Sequence, residues 1–264
     1  MTRLVIVGGG RMGSALLGGL LGSGWADAGD LAVVEPLESA RSELLESFPG
    51  IVASPNAVEA ESGVLAVKPA DAEAGCRTIA ASGCHRAISI VAGVTISQLE
   101  TWLGQGVAVL RAMPNTPAVL GAGASGLAGA SSVTEDDLIW AESVLSSVGV
   151  VARVAEYQLD AVTGLSGSGP AYVFLLAEAL VDAGVNEGLD REVSRLLAVQ
   201  TLLGSARMLA ETGESPQVLR AAVTSPGGTT AAAVRVLEAH GFRSGVLEAV
   251  AAAANRSREL GRNP

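Results

Sequence analysis

Hydrophobic positions follow two different patterns along this chain, and the change falls near residue 156. Before it, short runs of aliphatic and β-branched residues alternate with segments in which apolar residues recur at helical spacing. After it, only the helical spacing continues. Strands that alternate with helices predict a doubly wound, mostly parallel sheet. We therefore expect an α/β domain over residues 1–156 and an all-helical domain over residues 157–264.

The predicted strands of the first half are short and apolar. They cover residues 3–7, 31–34, 64–67, 87–91, 107–110 and 150–154. Helices are predicted over residues 38–47 and 71–81, and after Thr134, whose hydroxyl can cap a helix that has Asp137 in its first turn. The glycine-rich segment 121–129 has no assignment.

Helices in the second half are predicted over residues 172–185, 191–211, 215–220, 231–238 and 244–260. The first of them is apolar on nearly every side, through Phe174, Leu175 and Leu176 among others. A domain of about 100 residues can scarcely cover such a helix alone. We therefore expect homodimerisation through this half, and a central helix within a monomeric bundle is the alternative.

A glycine-rich turn joins the first predicted strand to a helix with leucines at helical spacing. Its sequence is Gly8-Gly9-Gly10-Arg11-Met12-Gly13. In the G-x-G-x-x-G pattern the first glycine makes the turn, the second admits a pyrophosphate, and the third packs the helix against the strand. Because the pattern follows a strand and opens a helix, we expect it to bind a dinucleotide. A glycine turn without a ligand is the alternative.

The second predicted strand ends at Glu35, 22 residues after Gly13. A carboxylate there can accept a hydrogen bond from the adenosine ribose 2′-hydroxyl and repels a 2′-phosphate, which favours NADH over NADPH. Arg41 opposes that preference, because an arginine can accommodate a phosphate. A solvated acid at a strand end is the alternative, so the sequence leaves the choice between NADH and NADPH open.

Composition narrows the class of protein. The chain has 264 residues, of which 49% are hydrophobic and 17% charged, enough for two modest domains with buried cores. Its net charge of −10 argues against binding nucleic acid or anionic lipid.

We expect the protein to be cytoplasmic, because we expect neither a signal peptide nor an apolar run long enough to cross a bilayer. Cys76 and Cys84 lack the spacing of a metal site, so no metal is expected.

A second glycine-containing loop, V-T-S-P-G-G-T-T over residues 223–230, opens a helix in the second half. Glycine lets the backbone approach a ligand, and the unpaired N–H groups at a helix start carry partial positive charge. Such a place suits a carboxylate or a phosphate. The alternative is that Thr229 or Thr230 only caps the helix and the glycines only make a turn.

Five segments together closely resemble pyrroline-5-carboxylate reductase, and the resemblance spans residues 3 to about 260. They are the glycine turn, A-V-K-P over residues 66–69, R-A-M-P-N-T-P over residues 111–117, L-S-G-S-G-P-A-Y over residues 165–172, and the 223–230 loop. The resemblance implies a Rossmann domain, a helical dimerisation domain, and an active site where the two meet. It also implies that hydride from NADH or NADPH reduces the C=N bond of 1-pyrroline-5-carboxylate to give L-proline.

The resemblance assigns roles to individual residues of this chain. It implies that the pyrophosphate is held by Gly8, Gly9, Gly10, Arg11, Met12 and Gly13. It implies that, beside Glu35, the cofactor cleft is lined by Ala66, Val67, Lys68, Pro69, Ala92 and Gly93. The substrate carboxylate is implied to lie against Ser225 and the N–H groups of Gly227, Gly228, Thr229 and Thr230. The Thr230 hydroxyl, near the ring nitrogen, is the implied catalytic group, and rings of dimers up to a homodecamer are among the implied assemblies.

The segment Ser166-Gly167-Ser168-Gly169-Pro170 is expected to break or kink a helix between the two domains and to shape the floor of the pocket. Alternatively, it is only a helix start with Pro170 in the first turn.

Three features of the chain bear on these expectations. Arg11 stands where the family usually has asparagine. The segment 61–67 is about two residues shorter than usual, so its strand is expected to begin late. Lys68 is the only lysine, which excludes the lysine acid expected in the helical half of the related β-hydroxyacid dehydrogenases. The alternatives are an NAD(P)-dependent enzyme of the same plan that acts on another cyclic imine or on a hydroxy acid, and a dinucleotide-binding redox sensor without turnover.

Overall fold

A computed structural model describes residues 2–262 of the chain. These residues divide into two compact units. The first comprises residues 2–168 and 250–262, and the second comprises residues 169–249. The first unit therefore includes residues 157–168 and 250–262, which the hydrophobic pattern assigned to the second domain.

An eight-stranded sheet forms the centre of the first unit. Its strands are β1 (Thr2–Val7), β2 (Leu31–Val34), β3 (Val52–Ser54), β4 (Ala60–Leu65), β5 (Arg86–Ser89), β6 (Ala108–Met113), β7 (Gly123–Gly129) and β8 (Gly149–Arg153). They lie in the order β3-β2-β1-β4-β5-β6-β7-β8, and only the pair β6 and β7 is antiparallel. The direction of winding reverses between β1 and β4, and open sheets of this kind bind ligands at the carboxyl ends of the strands beside such a point.

Helices cover both faces of this sheet. They are α1 (Arg11–Gly22), α2 (Glu38–Ser47), α3 (Ala72–Ala81), α4 (Ile96–Leu103), α5 (Glu135–Leu145) and α6 (Leu159–Val162). Side chains of β1 alternate between the faces, so Leu4 and Ile6 belong to a core with α1 and α5, whereas Val5 and Val7 belong to a core with α3 and α4. The predicted doubly wound, mostly parallel sheet is confirmed.

Side-chain caps fix the starts of two of these helices. The hydroxyl of Thr134 accepts the N–H of Asp137, whose carboxylate accepts the N–H of Thr134 at 3.1 Å. The predicted cap at Thr134 is therefore confirmed. Thr95 and Gln98 make the same reciprocal pair at the start of α4.

The expectation that the strand around residue 64 begins late and runs to residue 67 is wrong. Strand β4 begins at Ala60 and ends at Leu65. Ser62 is buried within it, because its hydroxyl donates to the carbonyl of Arg3 at 2.7 Å. Gly63 leaves room for Ile79, whose Cγ2 lies 3.0 Å from where a Cβ would stand. Polar and glycine residues thus extend the strand where an apolar pattern cannot detect it.

Strand β7 occupies most of the glycine-rich segment that the sequence left unassigned. A Cβ on Gly126 would lie 2.9 Å from both methyl groups of Val162, and a Cβ on Gly123 would lie 2.8 Å from the carbonyl oxygen of Val148. These glycines serve close packing, although glycine is a poor strand former. The three-residue strand β3 and helix α4 are also absent from the sequence-based assignment.

The second unit is helical. It contains α7 (Gly169–Asn186), α8 (Arg191–Glu211), α9 (Pro216–Ala222), α10 (Thr229–Ala239) and the first turns of α11 (Phe242–Arg262). Among the described residues after β8 there is no strand, so the prediction of helices alone is confirmed. Phe174 is 61% exposed and Leu175 is 67% exposed. A single chain therefore leaves a large apolar surface open on α7.

A stretch of 31 residues from Glu156 to Asn186 is helical except for a bend at Ser168. The most apolar window of 18 residues has a mean hydropathy of 1.3, and 6% of it is buried. Within residues 2–262 this is the one helix that is long and apolar enough to cross a membrane. Judged by length and composition alone, the expectation that the chain has no apolar run of membrane-spanning length is therefore wrong. Helices that pack inside soluble proteins meet the same two criteria.

Candidate active site

The glycine turn connects β1 to α1 at the carboxyl edge of the sheet. Gly8 has a φ of 105°, and a Cβ on it would lie 2.5 Å from the carbonyl oxygen of Ala66. A Cβ on Gly13 would lie 2.1 Å from the carbonyl oxygen of Gly8. At Gly10, by contrast, no atom lies within 4 Å of the position of a Cβ. The turn is closely packed at its first and third glycines and open at the second, as pyrophosphate binding requires.

The start of α1 offers unused hydrogen-bond donors. Its N-cap, Gly10, supplies no side-chain cap, and no acidic residue lies in the first turn. Arg11, the first residue of the helix, has an exposed side chain. The helix dipole and the guanidinium together make this end positive, which suits a diphosphate. The residues present therefore fit a dinucleotide.

Glu35 lies next to the turn, directly after β2. The N–H of Gly9 donates to Oε2 of Glu35 at 3.0 Å, and the N–H of Leu37 donates to Oε1 at 3.1 Å. Arg41 donates from Nη1 to the carbonyl of Glu35 at 2.9 Å and to that of Pro36 at 2.7 Å. The carboxylate of Glu35 and the guanidinium of Arg41 are thus both held by hydrogen bonds to the backbone at this edge of the sheet.

A cleft of about 490 Å³ runs along the carboxyl ends of β1, β2 and β4. Its lining includes six of the predicted cofactor residues: Gly8, Gly10, Glu35, Ala66, Val67 and Lys68. Lys68 is extended, with φ −68° and ψ 153°, as expected before a proline. Gly9 and Arg11 line a second groove of about 870 Å³, which follows α1.

Five predicted cofactor residues line neither the cleft nor the groove: Met12, Gly13, Pro69, Ala92 and Gly93. Met12 packs against the core, Gly13 is buried, and Pro69 begins a single 3-10 turn. Gly93 has a φ of 78°, and a Cβ on it would lie 3.6 Å from the carbonyl carbon of Leu260 in α11.

The 223–230 loop lies in the second unit, between α9 and α10. Gly227 has a φ of 71°, and a Cβ on Gly228 would lie 2.4 Å from the hydroxyl oxygen of Ser225. The backbone of the loop therefore favours glycine at 227, and a side chain at 228 would require Ser225 to move. Gly228 is the N-cap of α10 and supplies no side-chain cap, so the alternative in which Thr229 or Thr230 caps the helix is wrong.

Sequence reasoning missed a buried amide next to the sheet. Asn115, which follows β6, is 9% exposed. Its Nδ2 donates to the carbonyl of Ser166 at 2.9 Å, and its Oδ1 accepts the N–H of Ala124 at 2.8 Å. The one sequence feature that could have drawn attention to Asn115 is its position between two prolines in the R-A-M-P-N-T-P segment.

A mostly parallel sheet with an open glycine turn at its carboxyl edge defines a dinucleotide-binding protein of the Rossmann class. A family model described as "NADP oxidoreductase coenzyme F420-dependent" matches residues 3–93. A second model, described as "Pyrroline-5-carboxylate reductase dimerisation", matches residues 156–260.

Three relatives extend the similarity to the whole chain. A pyrroline-5-carboxylate reductase of Mycobacterium tuberculosis is 46% identical, covering 98% of this chain and 97% of the relative. The structure of the Coxiella burnetii enzyme of that name is similar with a TM-score of 0.92 and 39% identity, covering 98% of each chain. The crystal structure of a Plasmodium falciparum pyrroline carboxylate reductase with NADP bound has a TM-score of 0.84 and 32% identity, again covering 98% of each chain. The chain belongs to the pyrroline-5-carboxylate reductase family.

Proposed function

We propose that this chain reduces 1-pyrroline-5-carboxylate to L-proline with NADPH or NADH, the last step of proline biosynthesis. The observation that carries the proposal is that two proteins named pyrroline-5-carboxylate reductase are 46% and 44% identical to this chain over 98% of its length. The reaction adds a hydride to the carbon of the C=N bond and a proton to the nitrogen, and it leaves the oxidised nicotinamide. The reduced nicotinamide supplies the hydride.

The cofactor residues that we propose are those of the glycine turn and the neighbouring strand ends. Gly8, Gly10 and Gly13 shape the turn, and the uncapped start of α1 with Arg11 binds the pyrophosphate. Glu35 and the segment from Ala66 to Pro69 flank the adenosine end. The remaining cofactor residues that we propose are Gly9, Met12, Ala92 and Gly93. The open space at Gly10 and the lining of the 490 Å³ cleft support this assignment.

The substrate residues that we propose lie in the 223–230 loop. Ser225 and the N–H groups of Gly227, Thr229 and Thr230 bind the carboxylate, and the hydroxyl of Thr230 hydrogen-bonds to the ring nitrogen. The N–H of Gly228 donates to the carbonyl of Ser225 at 3.1 Å, so Gly228 contributes to the site by shaping the loop. The helix start without a side-chain cap supports this role, because its first N–H groups have no partner within the helix. No acidic residue lies in the first turn of α10 to repel an anion.

The chemistry of an imine suits the side chains present. A protonated imine is already electrophilic and gives a stable amine, so its reduction needs no strong general acid. A hydroxyl that holds the nitrogen is therefore sufficient. The chain has two histidines and a single lysine, Lys68, which lies in the first unit.

We propose a homodimer formed through the helical unit, with a homodecamer of five dimers as the larger assembly. The exposed apolar side chains of α7 and the match to a dimerisation model support the dimer. Sedimentation should give at least twice the chain mass of 26.4 kDa, and ten times that mass for the decamer.

The cytoplasm is the compartment that we propose, since Cys76 and Cys84 are both free thiols. The net charge of −10 argues against nucleic acid and anionic membranes as partners.

The decisive experiment follows oxidation of NADH and of NADPH by purified protein with 1-pyrroline-5-carboxylate and identifies the product. Proline formed in step with cofactor oxidation is the expected result. Turnover of a six-membered cyclic imine but not of 1-pyrroline-5-carboxylate would reassign the substrate. Cofactor binding without any turnover would point to a redox sensor instead.

A further inference from the structure

Pro170 leaves one backbone carbonyl without its usual hydrogen-bond donor in the helical stretch from Glu156 to Asn186. In an α-helix the carbonyl of residue i accepts the N–H of residue i+4, which for Ser166 is residue 170. Proline has no N–H. The carbonyl of Ser166 therefore has no α-helical partner. The same stretch is widened into a π turn, Thr163–Gly167, in which the N–H of Ser168 donates to the carbonyl of Thr163 at 2.8 Å.

The amide of Asn115 supplies the missing donor. Its Nδ2 donates to the carbonyl of Ser166 at 2.9 Å. Its Oδ1 accepts the N–H of Ala124 at 2.8 Å, at the start of β7. Because one partner is an acceptor and the other a donor, the orientation of the amide is determined. A buried side chain thus joins the end of β6, the start of β7 and the π turn.

Close packing holds the π turn on two further sides. A Cβ on Gly167 would lie 3.0 Å from Cε of Met113, the last residue of β6. A Cβ on Gly164 would lie 2.6 Å from the carbonyl oxygen of Val250 in α11. A shift of the turn would therefore also disturb its packing against Met113 and Val250.

We propose that Asn115 is a positioning residue of the reductase. It replaces the N–H that Pro170 lacks and thereby fixes the L-S-G-S-G-P segment that leads into α7. The inference rests on the proposed function and on the expectation, drawn from the sequence, that this segment shapes the floor of the pocket. Asn115 acts through Ser166 and contacts neither ligand itself.

Asn115→Asp is the informative variant, because it keeps an oxygen for the N–H of Ala124 and removes the donor to Ser166. We expect kcat to fall about tenfold, since a buried carbonyl left unpaired shifts the turn. The Kd for NADPH, measured by fluorescence titration, should stay within about twofold, because the hydrogen bonds of the Asn115 side chain go to Ser166 and Ala124 and not to the glycine turn. Asn255→Asp, at an exposed asparagine of α11 whose oxygen accepts from Arg258, is the control and should change neither quantity.

A second substitution tests the mechanism directly. Pro170→Ala restores an N–H at position 170, so Asn115→Asp should lower kcat less in that background than in the wild type. The same comparison made on unfolding midpoints needs no substrate and separates failure of this inference from failure of the proposed function. Equal effects of Asn115→Asp in both backgrounds, by kcat and by midpoint, would overturn the proposal. So would an unchanged kcat, or a loss of NADPH affinity as large as the loss of kcat.

Discussion

The backbone N–H of Gly9 and the carboxylate of Glu35 are joined by a hydrogen bond of 3.0 Å, which fixes the acid at the end of β2 to the glycine turn. The second carboxylate oxygen accepts the N–H of Leu37 at 3.1 Å. Glu35 is thus held in place by the protein before any ribose is bound. Its negative charge beside the cleft disfavours a 2′-phosphate, whereas Arg41 close by favours one.

Replacing Glu35 should change which cofactor is preferred. Glu35→Gln keeps an acceptor oxygen and removes the charge. We expect the kcat/KM for NADPH relative to that for NADH to rise about tenfold, which is ~1.4 kcal/mol of relieved repulsion. Glu46→Gln makes the same change of charge at an exposed position near the other end of α2 and should leave the ratio unaltered. An unaltered ratio in Glu35→Gln as well would remove Glu35 as a discriminating residue.

Two glycines of α1 should respond to alanine in opposite ways. At Gly13 a Cβ would lie 2.1 Å from the carbonyl oxygen of Gly8, so Gly13→Ala must displace the turn. We expect it to lower the free energy of unfolding by ~1–3 kcal/mol and to weaken NADPH binding. At Gly22 nothing lies within 4 Å, so Gly22→Ala should raise stability by ~0.5–1 kcal/mol. Urea unfolding and NADPH titration measure both effects, and similar results for the two variants would contradict the packing argument.

The hydroxyl of Thr230 should matter for turnover and not for cofactor binding. Thr230→Ala is expected to lower kcat by about 10²-fold, the usual scale for loss of a group that assists proton transfer. The Kd for NADPH should not change. Thr212→Ala removes a hydroxyl that bonds only to the backbone near the end of α8, and it should keep wild-type kcat. Wild-type turnover in Thr230→Ala would exclude this hydroxyl from the reaction.

Two buried thiols should make the protein less stable in alkali. Burial raises the pKa of Cys76 and that of Cys84 from 9.0 to about 11. A group whose pKa is raised on folding contributes stability that is complete below its unfolded pKa and is lost as pH rises through its folded pKa. The free energy of unfolding should therefore fall between pH 9 and about 11.

The thiol prediction is checked by urea unfolding across this pH range in the wild type and in a variant with Cys76→Ala and Cys84→Ala. The variant should show a smaller decrease with pH, because it has no thiols to ionise. Equal slopes in the two proteins would show that other groups cause the decrease.

Most of the fold can be predicted from the spacing at which apolar residues recur along the sequence. The strands that this spacing fails to predict share one physical cause. Strands β1 and β2 and helices α2 and α8 were predictable because their apolar residues repeat regularly. Strands β4 and β7 were not, because polar and glycine residues within them are accommodated by particular neighbours. Ser62 needs the carbonyl of Arg3, and Gly126 needs the methyl groups of Val162. Contacts between residues distant in sequence leave no local pattern.

The candidate site was predictable where chemistry depends on short spacing. The glycine turn, Glu35 and the 223–230 loop each show their chemistry within a few residues, and the structure gives each the local geometry expected of it. Asn115 was not predictable in this way, because its role depends on Ser166, 51 residues later in the chain. The absent N–H of Pro170 is visible in the sequence, but the residue that compensates for it is not.

The return of α11 to the first unit sets an order for biosynthesis. Ser257 donates to Oδ1 of Asp160 at 2.6 Å, and the backbone of Leu260 lies against Gly93. A ribosome makes all eight strands and then the whole helical unit before it makes these residues. The nucleotide-binding half consequently emerges early but acquires its last packed helix only after the helical half has been synthesised.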